Sequence, residues 1–242
     1  MYWLIFALLE PLLHGLANVI DNHFANHLFK RTTTLIFFAS LTNLLFLPII
    51  FLLNFPSRIT FSQIPFFIIL GITGTGYLYP YYKALQNDDT SVVVSLFSLG
   101  KIFVPLLAFF LVGEVLDPTQ YLGFFVIIMS ATLLTLNGKE KFRPNASFFW
   151  MILCTAIIAL EAVIYKYVFA LVSWGTGFTW ATVFSFLFVL PLFFITKTRG
   201  DIVSQINTFK TNFRLFALEE FLTFGGSAAL TFAISLTSVT FC

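Results

Sequence analysis

Residues 91–136 read SVVVSLFSLGKIFVPLLAFFLVGEVLDPTQYLGFFVIIMSATLLTL, and this stretch decides the fold. Two apolar runs flank a polar turn, Gly113-Glu114-Val115-Leu116-Asp117-Pro118-Thr119-Gln120. A bilayer core of ~30 Å is crossed by ~20 helical residues, and both runs approach that length. Each is continuously apolar rather than alternating, which argues for helices and against barrel strands. Lys101 sits in the middle of the first run. A charge there costs at least ~2.5–3.5 kcal/mol on insertion scales, so it needs a partner or a polar cavity.

The rest of the chain extends this reading. Of its 242 residues 59% are hydrophobic and 10% charged, against roughly 25% charged in a soluble domain. The mean hydropathy is +0.94. The chain is a polytopic membrane protein, and its formal charge of +2 is too small to point to nucleic acid. Cys154 and Cys242 lie far apart and suggest neither a disulfide framework nor a metal site. The N-terminal run MYWLIFALLEPLLHGLANVI lacks a basic start and a small-residue cleavage site, so it reads as a retained helix. About eight spans follow from the ruler above, near 2–20, 35–55, 64–84, 91–112, 121–137, 148–169, 178–196 and 213–236.

The spans repeat. Leu9-Glu10 recurs as Leu160-Glu161, an offset of 151 positions that also sets His14 on Tyr165. Ala84-Leu85-Gln86 falls on Ser235-Leu236-Thr237 at the same offset. Leu47-Pro48 recurs as Leu190-Pro191, and Ser62-Gln63-Ile64 as Ser204-Gln205-Ile206. Residues 1–137 therefore read as one five-helix copy, 138–147 as a linker and 148–242 as an incomplete second copy. An odd number of helices per copy inverts the second in the membrane, and inverted repeats place a transporter's substrate site at their interface. Position 242 corresponds to position 91, so counterparts of the fourth and fifth helices are missing. The expectation is a fragment, or a truncated product, of a ten-helix protein.

Loop charges orient the chain. Ten Lys and Arg residues, from Lys30 and Arg31 to Lys210 and Arg214, fall in or beside loops on one side, and Arg58 falls in a loop on the other. The positive-inside rule makes the basic side cytoplasmic and puts the N-terminus outside.

Tyr82-Lys83-Ala84-Leu85, the helix ending Leu111-Val112-Gly113-Glu114, and Gln120-Tyr121-Leu122-Gly123 with the helix after it resemble an EamA-type repeat of the drug/metabolite transporter superfamily. The resemblance covers about residues 80–136 and implies a ten-helix carrier of two inverted five-helix repeats, working by alternating access on amino acids, other metabolites or drugs. There are two departures. Lys101 stands where the family pattern often has proline, with Pro105 beside it, and the loop charges oppose the cytoplasmic N-terminus usual in the family.

The candidate substrate-binding residues are Glu10, His14, Asn18, Tyr77, Tyr81, Lys101, Glu161 and Tyr165. Glu10, His14, Asn18 and Asp21 follow helical spacing and make one polar stripe. Lys101 is expected to meet Glu10 or Glu161 in a central cavity, where a substrate carboxylate competes for it and a buried glutamate moves a proton. The plainer alternative is an ion pair that only fixes packing, and for His14 a hydrogen-bonded core histidine. His23 and His27 have the spacing of a metal pair but no third ligand, and read as interface residues. Gly71, Gly74 and Gly76, mirrored by Gly225 and Gly226, let helices approach closely. Glu219 and Glu220 are expected to snorkel to the interface, the alternative being that one of them reaches the cavity, and Glu114 is expected to cap the turn. The reading is a multi-pass inner-membrane carrier of a small-molecule solute, contacting the lipid bilayer, with no enzyme activity, cofactor or metal. Its assembly, a homodimer included, stays open. The alternatives are a polytopic enzyme acting on a lipid-linked substrate and a non-transporting fragment.

Overall fold

The computed structural model describes residues 2–100, 102–113, 117–119, 121–123, 125–126, 129 and 146–236. Among them there is no strand. Six helical stretches are long and apolar enough to span a membrane: Trp3–Leu28, Thr32–Leu53, Phe61–Leu85, Ala146–Phe169, Trp174–Phe193 and Phe213–Leu236. The expected run 91–112 is helical in two pieces, Thr90–Gly100 and Phe103–Val112, and 121–137 lies largely outside the described residues.

Proline sets the breaks. The third span divides at Tyr77 into Ile64–Gly76 and Leu78–Leu85. Pro80 has no N–H to offer the Gly76 carbonyl and crowds it, so the helix bends there. The second span tightens to a 3₁₀ turn at Leu44–Phe46 just before Pro48. The Trp174–Phe193 span does the same at Leu190–Phe193, around Pro191. Phe103–Val112 stops at Gly113, whose φ of 72° is the left-handed conformation that glycine adopts without a Cβ penalty. Asp117 then accepts from Thr119 N at 2.8 Å and opens the next helical turn ahead of Pro118. So the ends of the expected 113–120 turn are formed as a helix stop and a helix start. Glu114 lies outside the described residues.

The packing joins distant spans. The first span lies antiparallel along Phe213–Leu236: Phe6 meets Phe232 at 4.8 Å between ring centroids, and Phe24 stacks on Phe216 at 4.2 Å. Phe61–Leu85 lies antiparallel along Ala146–Phe169, with Phe66 on Tyr167 at 4.9 Å and Tyr79 on Trp150 at 6.0 Å. At the offset of 151 the partners of one pair map onto the partners of the other. Gly71 lets the third span press onto Trp174–Val189, where a Cβ would stand 2.7 Å from the Phe184 backbone. Ile5, Leu8, Leu12, Leu16 and Val19 form the exposed face of the first span, the lipid-facing stripe of a helix whose polar residues turn inward.

Candidate functional site

The inward stripe of the first span is where the sequence places it, and its members have different neighbours. His14 Nδ1 stands 3.3 Å from both the Glu10 carbonyl and Glu10 Oε1. The ring fits against Gly226, where a Cβ would come within 2.5 Å of Nδ1. A glycine at that point is what admits the imidazole between two antiparallel helices. Both Glu10 and His14 are about a quarter exposed, which separates them from the wholly buried residues further along.

One helical turn and more beyond, Asn18 and Asp21 are buried, at 7% and 5% exposure. Tyr81 donates its hydroxyl to Asn18 Oδ1 at 2.7 Å and approaches Asp21 Oδ2 at 3.1 Å. Tyr82 donates to Asp21 Oδ1 at 3.0 Å. Expected site residues Asn18 and Tyr81 thus meet directly. Tyr82, which follows Tyr81 in the bent third span, completes the clamp around the Asp21 carboxylate.

Glu219 and Glu220 complete this region, and here the sequence reading needs correction. The expected snorkelling to the interface does not occur, and the inward alternative allowed for one of them holds for both, since each is only 2% exposed. Glu219 Oε1 accepts from Thr223 at 2.8 Å, and the two carboxyl groups are within hydrogen-bonding reach of each other. Asp21 lies within electrostatic range of both. The helix phase of Phe213–Leu236 turns them toward the first span, because the lipid-facing positions around them are held by Leu218 and Phe221. Two adjacent acids within an apolar helix carry the signal, since such residues seldom face lipid. Among the described residues the ion pairs are His14–Glu10 and, at the basic end of the molecule, Arg31–Asp201.

Glu161 stands 151 positions after Glu10 in the sequence. Its Oε1 comes within 3.2 Å of the point where a Cβ on Gly74 would lie, and Ser185 Oγ comes within 2.7 Å of that same point. Three helices therefore meet at Gly74. Tyr165, one turn beyond Glu161, is buried and stacks on Phe169 at 5.4 Å. Tyr77, at the bend of the third span, is partly buried and within electrostatic range of Glu161. Gly74 is the 151-offset counterpart of Gly225, but the two surroundings differ: the Glu161 carboxylate borders Gly74, whereas Leu13 borders Gly225 and the His14 ring with the Glu10 backbone carbonyl borders Gly226.

Lys101 lies outside the described residues, so its expected meeting with Glu10 or Glu161 does too. Lys166 donates to the Ile234 carbonyl at 3.2 Å. His23 and His27 stand 5.4 Å apart between ring centroids at the end of the first span. Among the described residues no group of three or more His, Cys, Asp or Glu is arranged to hold a metal ion. One recess, of about 240 Å³, lies between the loop after the second span and the Trp174–Phe193 span. A second, of about 220 Å³, lies between Leu96, Phe103 and Met151. Neither is lined by the expected site residues.

No curated protein matches the chain at a significant level. The model of the EamA-like transporter family matches residues 1–136, more than half of the 242. With six spanning helices and this match in hand, the chain belongs to the EamA-like transporter family, multi-pass membrane proteins that transport small solutes.

Proposed function

We propose that this protein carries a small metabolite, amino-acid-like or drug-like, across the cell's inner membrane by alternating access, and that proton movement on buried carboxyl groups drives it. The observation that carries the reading is the related placing of the two glutamates. Glu161 in the second copy faces Gly74 in the first, and the Glu10–His14 pair in the first copy packs on Gly226 in the second. On the two-copy reading both lie between the copies, where inverted-repeat carriers hold their substrate. Glu161 has no hydrogen-bond partner among the described residues, which leaves its carboxylate available to a solute or a proton. Lys101, in the middle of an apolar run of the sequence, is assigned the solute's carboxylate.

The test is transport in proteoliposomes, scored against a panel of amino acids and cationic drugs with and without an imposed pH gradient. The expected result is uptake that follows the gradient and is lost in Glu161→Gln. Uptake indifferent both to the gradient and to Glu10→Gln and Glu161→Gln would overturn proton coupling. A panel with no transported solute in either direction would overturn the carrier reading.

A further inference from the structure

The end of the molecule opposite the basic loops carries a built recess. Its walls include Phe51, Ser57, Arg58, Thr179, Trp180 and Val183. The loop after the second span is tied down across it. Ser57 N donates to Thr176 Oγ1 at 2.9 Å, Trp180 Nε1 donates to the Ser57 carbonyl at 3.0 Å, and Ser173 Oγ donates to Asn54 Oδ1 at 3.1 Å. Gly175 makes the closure tight, since a Cβ there would fall on the Asn54 carbonyl oxygen. These bonds join a loop of the first copy to a helix of the second and hold the walls of the recess in place.

Two polar groups at the recess are left over. Arg58 is exposed and makes no ion pair or hydrogen bond with a described residue. Thr179 is 5% exposed, and its hydroxyl has no hydrogen-bond partner. That is unlike Thr182 on the same helix, which bonds back to the Phe178 carbonyl at 3.0 Å. Around them the loop is apolar and outward-facing: Leu52, Leu53, Phe55 and Phe61 are each at least 70% exposed. Apolar residues so exposed at the end of a spanning helix sit in the acyl-to-headgroup boundary, where Trp and Arg also settle.

We propose that this recess is a binding site for an anionic phospholipid, with the phosphate on Arg58 and the glycerol end of an acyl chain against Trp180, Val183 and Phe51. The size agrees, since about 240 Å³ is below the roughly 300–1,000 Å³ of a site for a whole drug-sized ligand and suits a segment of a lipid. The charge agrees as well, because a guanidinium at the headgroup level attracts a lipid of net negative charge more strongly than a zwitterionic one, whose own cation offsets its phosphate. The bound lipid would brace the loop that closes this end of the interface between the copies.

The experiment is native mass spectrometry of the purified full chain, titrated with dioleoylphosphatidylglycerol, dioleoylphosphatidylcholine or inorganic phosphate. The expected result is retained phosphatidylglycerol in preference to phosphatidylcholine, weakened about fivefold in Arg58→Gln. Val183→Trp, which fills the recess, should lower binding of phosphatidylglycerol while leaving Arg58 in place. Arg199→Gln, on an exposed basic residue at the opposite end, should leave it unchanged. Equal retention of the two lipids, or an unaltered Arg58→Gln, would overturn the proposal. An equal loss in Arg199→Gln would reduce the effect to bulk charge, and competition by inorganic phosphate would make the ligand a free phosphate. Either result also overturns the lipid site.

Discussion

Glu161 Oε1 and Gly74 face each other across two antiparallel spans, with 3.2 Å between that oxygen and the place a Cβ on Gly74 would take. The glycine leaves open the space into which the carboxylate points, and Ser185 borders the same space. Gly74→Ala is expected to narrow it. Both neighbours are ends of side chains that can rotate away, so the protein should still fold. Transport should fall more than the amount of protein in the membrane does. Initial uptake rates normalised to membrane protein check this, with Gly76→Ala as the control, since nothing lies within 4 Å of a Cβ there.

Gly71 behaves differently. A Cβ at this position would stand 2.7 Å from the carbonyl carbon and oxygen of Phe184, which are backbone atoms and cannot rotate away. Gly71→Ala is expected to push two spans apart and to cost about 1–3 kcal/mol. Thermal unfolding in detergent should show a clear loss for Gly71→Ala and a smaller one for Gly74→Ala.

The hydroxyls of Tyr81 and Tyr82 are held by the buried Asp21 carboxylate. Tyr82→Phe removes the 3.0 Å bond to Oδ1 and leaves that oxygen without its donor. A loss of about 1–3 kcal/mol is expected. Tyr81→Phe removes bonds to both Asn18 and Asp21 and should cost more. Combining the two should cost less than the sum of the single changes, because both act on one carboxylate. Unfolding midpoints of the three variants check the order.

Glu219 and Glu220 are buried beside Asp21 with no cation among their described neighbours. Crowding like charges away from water is costly, and a neutral isostere relieves it. Glu220→Gln is expected to raise the unfolding midpoint, whereas Glu219→Gln also disturbs the 2.8 Å bond from Thr223 and should gain less. A lower midpoint for Glu220→Gln would mean that its hydrogen bond with Glu219 outweighs this relief.

The clasp at the far end should move during transport, since it ties the loop after the second span to the Trp174–Phe193 span. Ser57 Oγ and Thr176 Oγ1 are 3.1 Å apart. Ser57→Cys paired with Thr176→Cys should cross-link under oxidant, stop transport, and recover on reduction. Unchanged transport in the cross-linked protein would show that this end does not open.

Much of the architecture was legible in the residues. Continuous apolar runs, prolines that bend them and Gly113 at a helix stop are local matters, set by bilayer thickness and by backbone sterics. Glu10 and Glu161 stand out in the sequence as well, because a glutamate within an apolar run is costly. Other features depended on which spans become neighbours. Glu219 and Glu220 look like interfacial residues in sequence, and only the packing of Phe213–Leu236 along the first span buries them against Asp21. In the sequence Tyr82 fits a cavity wall or an interfacial aromatic belt equally, and only the tertiary packing sets its hydroxyl on the Asp21 carboxylate. The chain by itself determined that it is an all-helical protein crossing the membrane several times, and which of its polar residues are costly there. Only the tertiary structure decided which of those residues satisfy one another, because burial and hydrogen bonding inside a bundle depend on helix phase and neighbours that no single span specifies.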